Sequence, residues 1–161
     1  DWCQAQLDVL KASTSKLIAN DALELSVLIT DNYNMDTSET PMKLFSYADM
    51  LSIQQQYDAA SKLYDSILNN FQNHSLNDEI IFRKAKISLR QHQYHEAVNQ
   101  LIELVKNYPS SILLDNSLFF LKSHQKQYQN IYRGSEYKSL LLLNFLEIYF
   151  LITKNLCQTK S

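Results

Sequence analysis

The sequence has almost none of the residues that build tight turns, with one glycine and two prolines among 161 residues. A sheet protein needs many such turns, and their backbone angles draw on glycine and proline. The long stretches between these few breakers are rich in Leu, Ala, Lys, Gln and Glu, which favour helix. The composition therefore predicts an all-α protein, and the length allows one domain or one compact array.

The sequence also lacks the patterns that would suggest catalysis or a bound ion. A formal net charge of −2 leaves no basic excess, so we expect no nucleic-acid partner. Cys3 and Cys157 stand near opposite ends without a companion at a metal-ligand or disulfide spacing. One glycine cannot form a glycine-rich phosphate loop, and no Ser/His/Asp or Cys/His constellation stands out. These absences predict a protein that is not an enzyme and has no cofactor or metal.

The most informative feature present is a repeat at an offset of 37 residues. Tyr57-Asp58-Ala59-Ala60 returns as Tyr94-His95-Glu96-Ala97, and Asn70-Phe71 returns as Asn107-Tyr108. Three phenylalanines keep the same register, namely Phe45, Phe82 and Phe119. Self-similarity at this length is typical of stacked helical hairpins, none of which buries its apolar face alone.

Apolar spacing predicts the helices of these hairpins. Two N-terminal helices begin near Trp2 and end near Tyr33, and the later ones are predicted at about 41–53, 57–71, 78–91, 94–108 and 113–125. Thr40-Pro41 has the pattern of a cap and first turn, and Gln54-Gln55-Gln56 that of a tight turn. Pro109 ends a hairpin, and a serine after it caps the next helix. The chain is thus a single array of 1–161, in which 41–72 and 78–109 are regular repeats, and 1–37 and 115–161 are degenerate hairpins.

The two regular repeats resemble the tetratricopeptide repeat, a helix-turn-helix unit of about 34 residues. Its marks are a small residue in the first helix, an aromatic after the turn, then an alanine, a large apolar residue and a closing proline. The unit 78–109 has these marks at Ile81, Ala85, Tyr94, Ala97, Leu101, Leu104 and Pro109. The unit 41–72 has them at Leu44, Ala48, Tyr57, Ala60, Tyr64 and Ile67, but has Gln72 in place of proline. A side chain larger than alanine would push closely packed helices apart.

This resemblance implies a right-handed superhelical solenoid of about three to four antiparallel helix hairpins. The segment is similar to the C-terminal array of long bacterial proteins with this repeat, which serve as scaffolds, often for cell-envelope assemblies. It therefore implies non-catalytic binding of a peptide or protein in a concave groove. A purely structural segment of a longer superhelix and an accessory domain of a larger enzyme remain alternatives. Because the sequence begins without Met or a signal peptide, we expect an excised C-terminal piece, which leaves its localisation open.

The phenylalanine register supplies a candidate partner-binding site. In the repeat that the sequence resembles, this position of the first helix faces the concave groove. The residues expected there are Phe45, Phe82, Phe119, Asp49, Glu79, Lys86 and Arg90. The phenylalanines would anchor an apolar segment, and the charged side chains would select its charges. The alternative is that the phenylalanines pack between adjacent hairpins, the usual place of an aromatic stripe.

Two histidines, His92 and His95, lie three residues apart beside Glu96, a spacing that could suggest a metal. His92 falls in a predicted turn, where helical spacing does not apply, and a zinc site needs further ligands. We interpret both as solvated turn histidines.

The repeat weakens after Leu121. The three positions at which the regular repeats pack their helices closely are occupied here by Lys122, Gly134 and Lys138. We expect easy local opening at 122–135, and a helix at 140–152 that covers the preceding helix or self-associates. That run is too short for a membrane span, which needs about 20 apolar residues. An alternative origin of this C-terminal segment is a change of reading frame in the gene. Permitted codons for residues 142–148, read in an adjacent frame, can encode a typical repeat ending.

Overall fold

The computed structural model of the protein describes residues 2–13, 15–33 and 39–123, and every regular element within them is an α-helix. The seven helices are α1 (Trp2–Lys11), α2 (Lys16–Tyr33), α3 (Thr40–Ile53), α4 (Tyr57–Asn70), α5 (Asn77–Arg90), α6 (Tyr94–Asn107) and α7 (Leu114–Ser123). The predicted all-α class is confirmed for this part of the chain. The expectations for 122–135 and 140–152 concern a segment that, beyond Ser123, lies outside the described residues.

Helices that are neighbours in sequence pack as pairs. α1 packs on α2, α3 on α4, and α5 on α6, while further contacts join α4 to α5, α6 to α7, and α3 to α5. The four helices from α3 to α6 each have 14 residues. The pair α5–α6 therefore repeats the pair α3–α4: the helices have the same lengths, and in each pair the two helices pack against each other.

The turn inside each of these two pairs has the same backbone geometry at the offset of 37 residues. Gln55 and His92 both adopt the left-handed conformation, with φ of 62° and 59°. The following amide donates to a carbonyl five residues earlier, from Gln56 to Leu51 at 2.9 Å and from Gln93 to Ser88 at 2.8 Å. This hydrogen bond and the left-handed residue define a Schellman motif. The repeat is therefore present in the backbone as well as in the sequence.

A non-glycine residue in the left-handed region is strained by roughly 1–2 kcal/mol, and glycine relieves this at the expense of a more flexible unfolded chain. We expect Gln55→Gly to raise the free energy of unfolding by about 0.5–1 kcal/mol, measured by urea denaturation. Gln54→Gly is the matched control because Gln54 has φ of −74°, and it should destabilise. Equal effects of the two substitutions would contradict the assigned turn.

Neither of the helix caps predicted from the sequence, at α3 and at α7, is formed in the structure. The side chain of Ser111 accepts a hydrogen bond from the amide of Leu113 at 3.1 Å, but Leu113 precedes α7, so this bond closes a turn ahead of the helix and does not cap it. His74 makes the equivalent bond with the amide of Leu76 before α5, whose first turn also has no side-chain cap. The predicted Thr40 cap is wrong, because Thr40 is already the first residue of α3 and follows Glu39 at the cap position.

Each of the four helices from α3 to α6 carries one fully buried alanine. Ala48, Ala60, Ala85 and Ala97 have no exposed surface, so the predicted burial of Ala60 and Ala97 is confirmed. One core cluster joins α3, α4 and α5 and includes Leu28 of α2, and the other joins α5, α6 and α7. The small side chains let the backbones pack closely, and the larger apolar residues fill the space around them.

We expect Ala97→Leu to destabilise the protein by about 1–3 kcal/mol, because the larger side chain would overpack this crossing. Urea denaturation of the full chain measures the change. Ala59→Leu introduces the same side chain at an exposed position of α4 and should change stability by less than about 0.5 kcal/mol. A similar loss in both variants would contradict the close helix crossing.

Candidate functional site

The predicted site residues lie on three helices. Phe45 and Asp49 are on α3, and Phe119 is on α7. The remaining four, Glu79, Phe82, Lys86 and Arg90, are on α5. Their spacings of three and four residues place them on one face of α5. Because α3 contacts α5, the face continues from one helix to the other.

Two of the three phenylalanines belong to the core. Phe45 is 1% exposed and Phe82 is 3% exposed, whereas Phe119 is 67% exposed. The ring centroid of Phe45 lies 5.8 Å from that of Tyr64, and the centroid of Phe82 lies 5.8 Å from that of Phe120. The groove interpretation is therefore corrected for Phe45 and Phe82, since packing between helices already covers both rings. Their environment matches the core-packing alternative.

Of the three phenylalanines at this repeat position, Phe119 is the one that a partner could reach. Its ring centroid lies 6.2 Å from that of Phe120, which in turn packs against Phe82. An exposed ring supported by a second aromatic offers apolar contact area at a fixed position. It lies on α7, which packs against α6.

The side chain of Asp49, on α3, contacts side chains of both α4 and α5. The hydroxyl of the buried Tyr64 on α4 donates a hydrogen bond to its carboxylate, and Nε of Arg83 on α5 lies 3.5 Å from the same oxygen. Burial, followed by the charge of Asp49, raises the pKa of Tyr64 well above its usual range. Among the described residues the buried Arg83 Nε makes no hydrogen bond, so its contact with Asp49 is an ion pair. Asp49 therefore positions Arg83.

Glu79 is a carboxyl group that the fold removes from water. It is 8% exposed, and burial raises its pKa from the ordinary value of 4.5 to about 7. Arg83 opposes this shift, whereas the carboxylates of Asp78, Glu24 and Asp49 add to it. Near neutral pH the charge on this part of α5 therefore depends on the protonation of Glu79.

Lys86 and Arg90 carry the positive charge at the other end of the face. Nζ of Lys86 lies 5.5 Å from the centroid of the Phe82 ring, a cation–π arrangement. Burial lowers the pKa of Lys86, and the nearby charges of Arg83 and Arg90 lower it further, against Glu24 and Asp49. Within the described ranges, neither Lys86 nor Arg90 forms an ion pair. Elsewhere on α5, Lys84 does pair, with Asp65 of α4 at 2.5 Å.

Sequence reasoning did not place Arg83, Tyr64 or Glu24 at the candidate site. Arg83 could have been found, because it follows Glu79 by four residues and precedes Lys86 by three on the same face of α5. Tyr64 and Glu24 reach the site from α4 and α2. No local spacing links them to α5, so only helix packing could identify them.

The histidines lie at the Schellman turn and just after it. Nδ1 of His92 is 2.9 Å from the hydroxyl of Tyr94, and Nδ1 of His95 is 3.1 Å from Nδ2 of Asn99. Both are exposed, but His95 belongs to α6, which corrects its placement in a turn. Within the part of the chain that the structure describes, no group of three His, Cys, Asp or Glu side chains could hold a metal ion.

Comparison with known proteins adds no relative: no family model, curated protein or solved structure matches the chain. Over residues 2–13, 15–33 and 39–123, no helix combines the length and apolar character that a bilayer crossing requires. A functional assignment therefore depends on the repeated geometry and on the charged face of α5.

Proposed function

We propose that this chain is a non-catalytic protein-interaction scaffold, in which tetratricopeptide-like helix hairpins stack as a right-handed solenoid. The equal helix lengths, the repeated Schellman turns and the four buried alanines support this arrangement. So does the contact between α3 and α5, since the first helices of successive hairpins are neighbours in such a solenoid. The partner segment would lie along the face that α3 and α5 form.

The observation that best supports binding is the partly buried charge on α5. Removing ionised groups from water is unfavourable, so a fold without a binding role gains little from keeping Lys86 half-buried and without an ion pair. Strongly perturbed ionisable groups also cluster at functional sites. Glu79 is such a group, and Lys86, whose pKa burial lowers, lies on the same face of α5.

The proposed binding combines an apolar contact with charge selection. Phe119 can offer an apolar contact, while Lys86 and Arg90 can select charge on the partner. Asp49 acts through Arg83, because its carboxylate already binds Tyr64 and Arg83 within the fold. A protein segment with an apolar residue and charged neighbours would match this surface.

Selection of binders from a random peptide display library tests this proposal on the full chain. We expect enriched peptides, and we expect Ser46→Trp to weaken their binding. Ser46 is exposed on α3 at the position equivalent to Arg83, so a bulky side chain there would obstruct the proposed face without changing charge. Ala59→Trp, on the exposed side of α4, is the control and should leave binding intact, since it too leaves the charge unchanged. Failure to enrich any peptide, or equal binding by Ser46→Trp, would refute the proposal.

A purely structural role has its own supporting observation. Large apolar side chains on α1 and α2 are exposed, among them Trp2 at 78%, Leu17 at 71% and Leu23 at 53%. In a longer solenoid another repeat would cover such a surface. This alternative predicts that the display selection enriches no peptide, and that substitutions on the α3–α5 face leave the protein's associations unchanged.

A further inference from the structure

The outer side of α3, which carries Tyr47 and Met50, is not covered by the hairpin that precedes it. The matching side of α5 is covered, because Ile87 is 2% exposed in the cluster of α3, α4 and α5, and Lys84 pairs with Asp65 of α4. Met50 and Tyr47 stand 37 residues before Ile87 and Lys84, yet they are 45% and 52% exposed. α2 makes only minor contact with α3, whereas α4 packs on α5. The α1–α2 hairpin therefore does not stack on α3 as α3–α4 stacks on α5.

α2 packs instead towards the face that α3 and α5 form. Leu28 of α2 is 5% exposed and belongs to the core cluster of α3, α4 and α5. Glu24 precedes Leu28 by four residues, so both lie on one side of α2. Burial is the main cause of the pKa shifts of Glu79 and Lys86, and the Glu24 carboxylate also acts on both, so Glu24 lies near α5. α2 therefore lies close to the part of the face that holds these two residues.

This arrangement of α2 leaves polar groups in unfavourable surroundings. Asn32 follows Leu28 by four residues and is buried; its Nδ2 donates to the carbonyl of Leu28 at 2.9 Å, but within the described ranges its Oδ1 accepts no hydrogen bond. A buried acceptor without a donor opposes the packing that buries it. Glu79 is likewise removed from water, which disfavours its ionised form. A movement of α2 away from α5 would relieve these costs, and the outer side of α3 offers α2 apolar contacts in exchange.

We propose that the α1–α2 hairpin is an autoinhibitory element of the scaffold function proposed above, on which this inference rests. In the arrangement that the structure shows, the Leu28 side of α2 covers part of the α3–α5 face. A partner segment that binds this face displaces the hairpin, and α2 then packs on the outer side of α3, as α4 packs on α5. Because the two arrangements compete, the affinity for a partner is reduced by the fraction of molecules whose face is covered.

Thiol labelling of the full chain tests the two positions of α2 without a partner. Cys3→Ser and Cys157→Ser leave a single cysteine in Met50→Cys, whose reaction rate with a maleimide reports the exposure of the outer side of α3. Leu28→Ala removes apolar contact between α2 and the core cluster, so we expect the hairpin to move and this rate to fall about fivefold. Ile112→Cys, at a residue that is 64% exposed, is the control, and its labelling rate should not change.

The affinity for a peptide enriched by the library selection tests the inhibition itself. In fluorescence anisotropy with the labelled peptide, Leu28→Ala should bind about tenfold more tightly, because the face is free in more molecules. Met50→Glu should bind about threefold more weakly, because a charge on the outer side of α3 disfavours the position that α2 must take. Ile112→Glu makes the same charge change at another exposed apolar residue and should have no effect. Opposite effects of two substitutions outside the partner's contacts would not arise from a purely structural role.

Circular dichroism checks that each variant remains helical, and Leu28→Val, with a smaller effect in the same direction, replaces Leu28→Ala if that variant unfolds. An unchanged labelling rate at position 50 would overturn the inference. So would equal peptide affinity of the original chain, Leu28→Ala and Met50→Glu, and both results leave the scaffold function intact if Ser46→Trp still blocks the peptide. If the selection enriches no peptide on the original chain or on Leu28→Ala, both proposals fail.

Discussion

Replacing Phe82 with alanine is expected to lower the free energy of unfolding by about 3–5 kcal/mol. The ring is 3% exposed, packs edge-on against Phe120 at 5.8 Å, and belongs to the cluster that joins α5, α6 and α7. Its removal would lose this apolar burial and leave a cavity that the surrounding helices fill only in part. Urea denaturation of the full chain, monitored by circular dichroism, measures the change.

Phe119→Ala is the matched control, because it removes the same side chain at the equivalent position one repeat later. That ring is 67% exposed, so we expect a change of at most about 0.5 kcal/mol. The two variants together separate a core ring from a surface ring. Equal losses, or a loss below about 1 kcal/mol for Phe82→Ala, would contradict the burial described for this register.

The sequence predicted the helices well because their signals are local. Tyr57 and Tyr94 begin α4 and α6 as expected, and the glutamine turn at 54–56 is confirmed. Periodic apolar residues and a repeat of fixed length carry this information without knowledge of the fold. The Thr40 cap was wrong because Thr-Pro is compatible with the first turn as well as with the cap, and the residue before it decides between them.

The candidate site was less predictable because burial depends on neighbouring helices. A register of 37 residues placed Phe45, Phe82 and Phe119 in equivalent positions, yet two of these rings are buried and one is exposed. Phe82 is covered partly by Phe120 of α7, which is distant in sequence. Periodicity shows which face of a helix a residue occupies, but the solvent exposure of that residue depends on which other helices pack on the face.

Glu79 makes the stability of the folded protein depend on pH. Its carboxyl has an ordinary pKa of 4.5, and in the folded protein burial raises the pKa to about 7. Arg83 reduces this shift, and the carboxylates of Asp78, Glu24 and Asp49 increase it. Between pH 4.5 and 7 the folded state therefore keeps a proton that the unfolded state has released. Since the folded state binds more protons, its stability falls as the pH rises through this window.

We expect Glu79→Gln to remove this loss, because glutamine keeps the shape of the neutral carboxyl and cannot ionise. The variant should match the original protein near pH 4 and exceed its free energy of unfolding by about 3 kcal/mol at pH 8, the value of a pKa difference of about 2.5. Urea denaturation at both pH values measures this difference. Glu103→Gln, at an exposed position of α6, is the control and should change stability by less than about 0.5 kcal/mol at either pH. If Glu79→Gln and the original protein lose stability equally between pH 4 and pH 8, the carboxyl of Glu79 is not held neutral by burial in the folded chain.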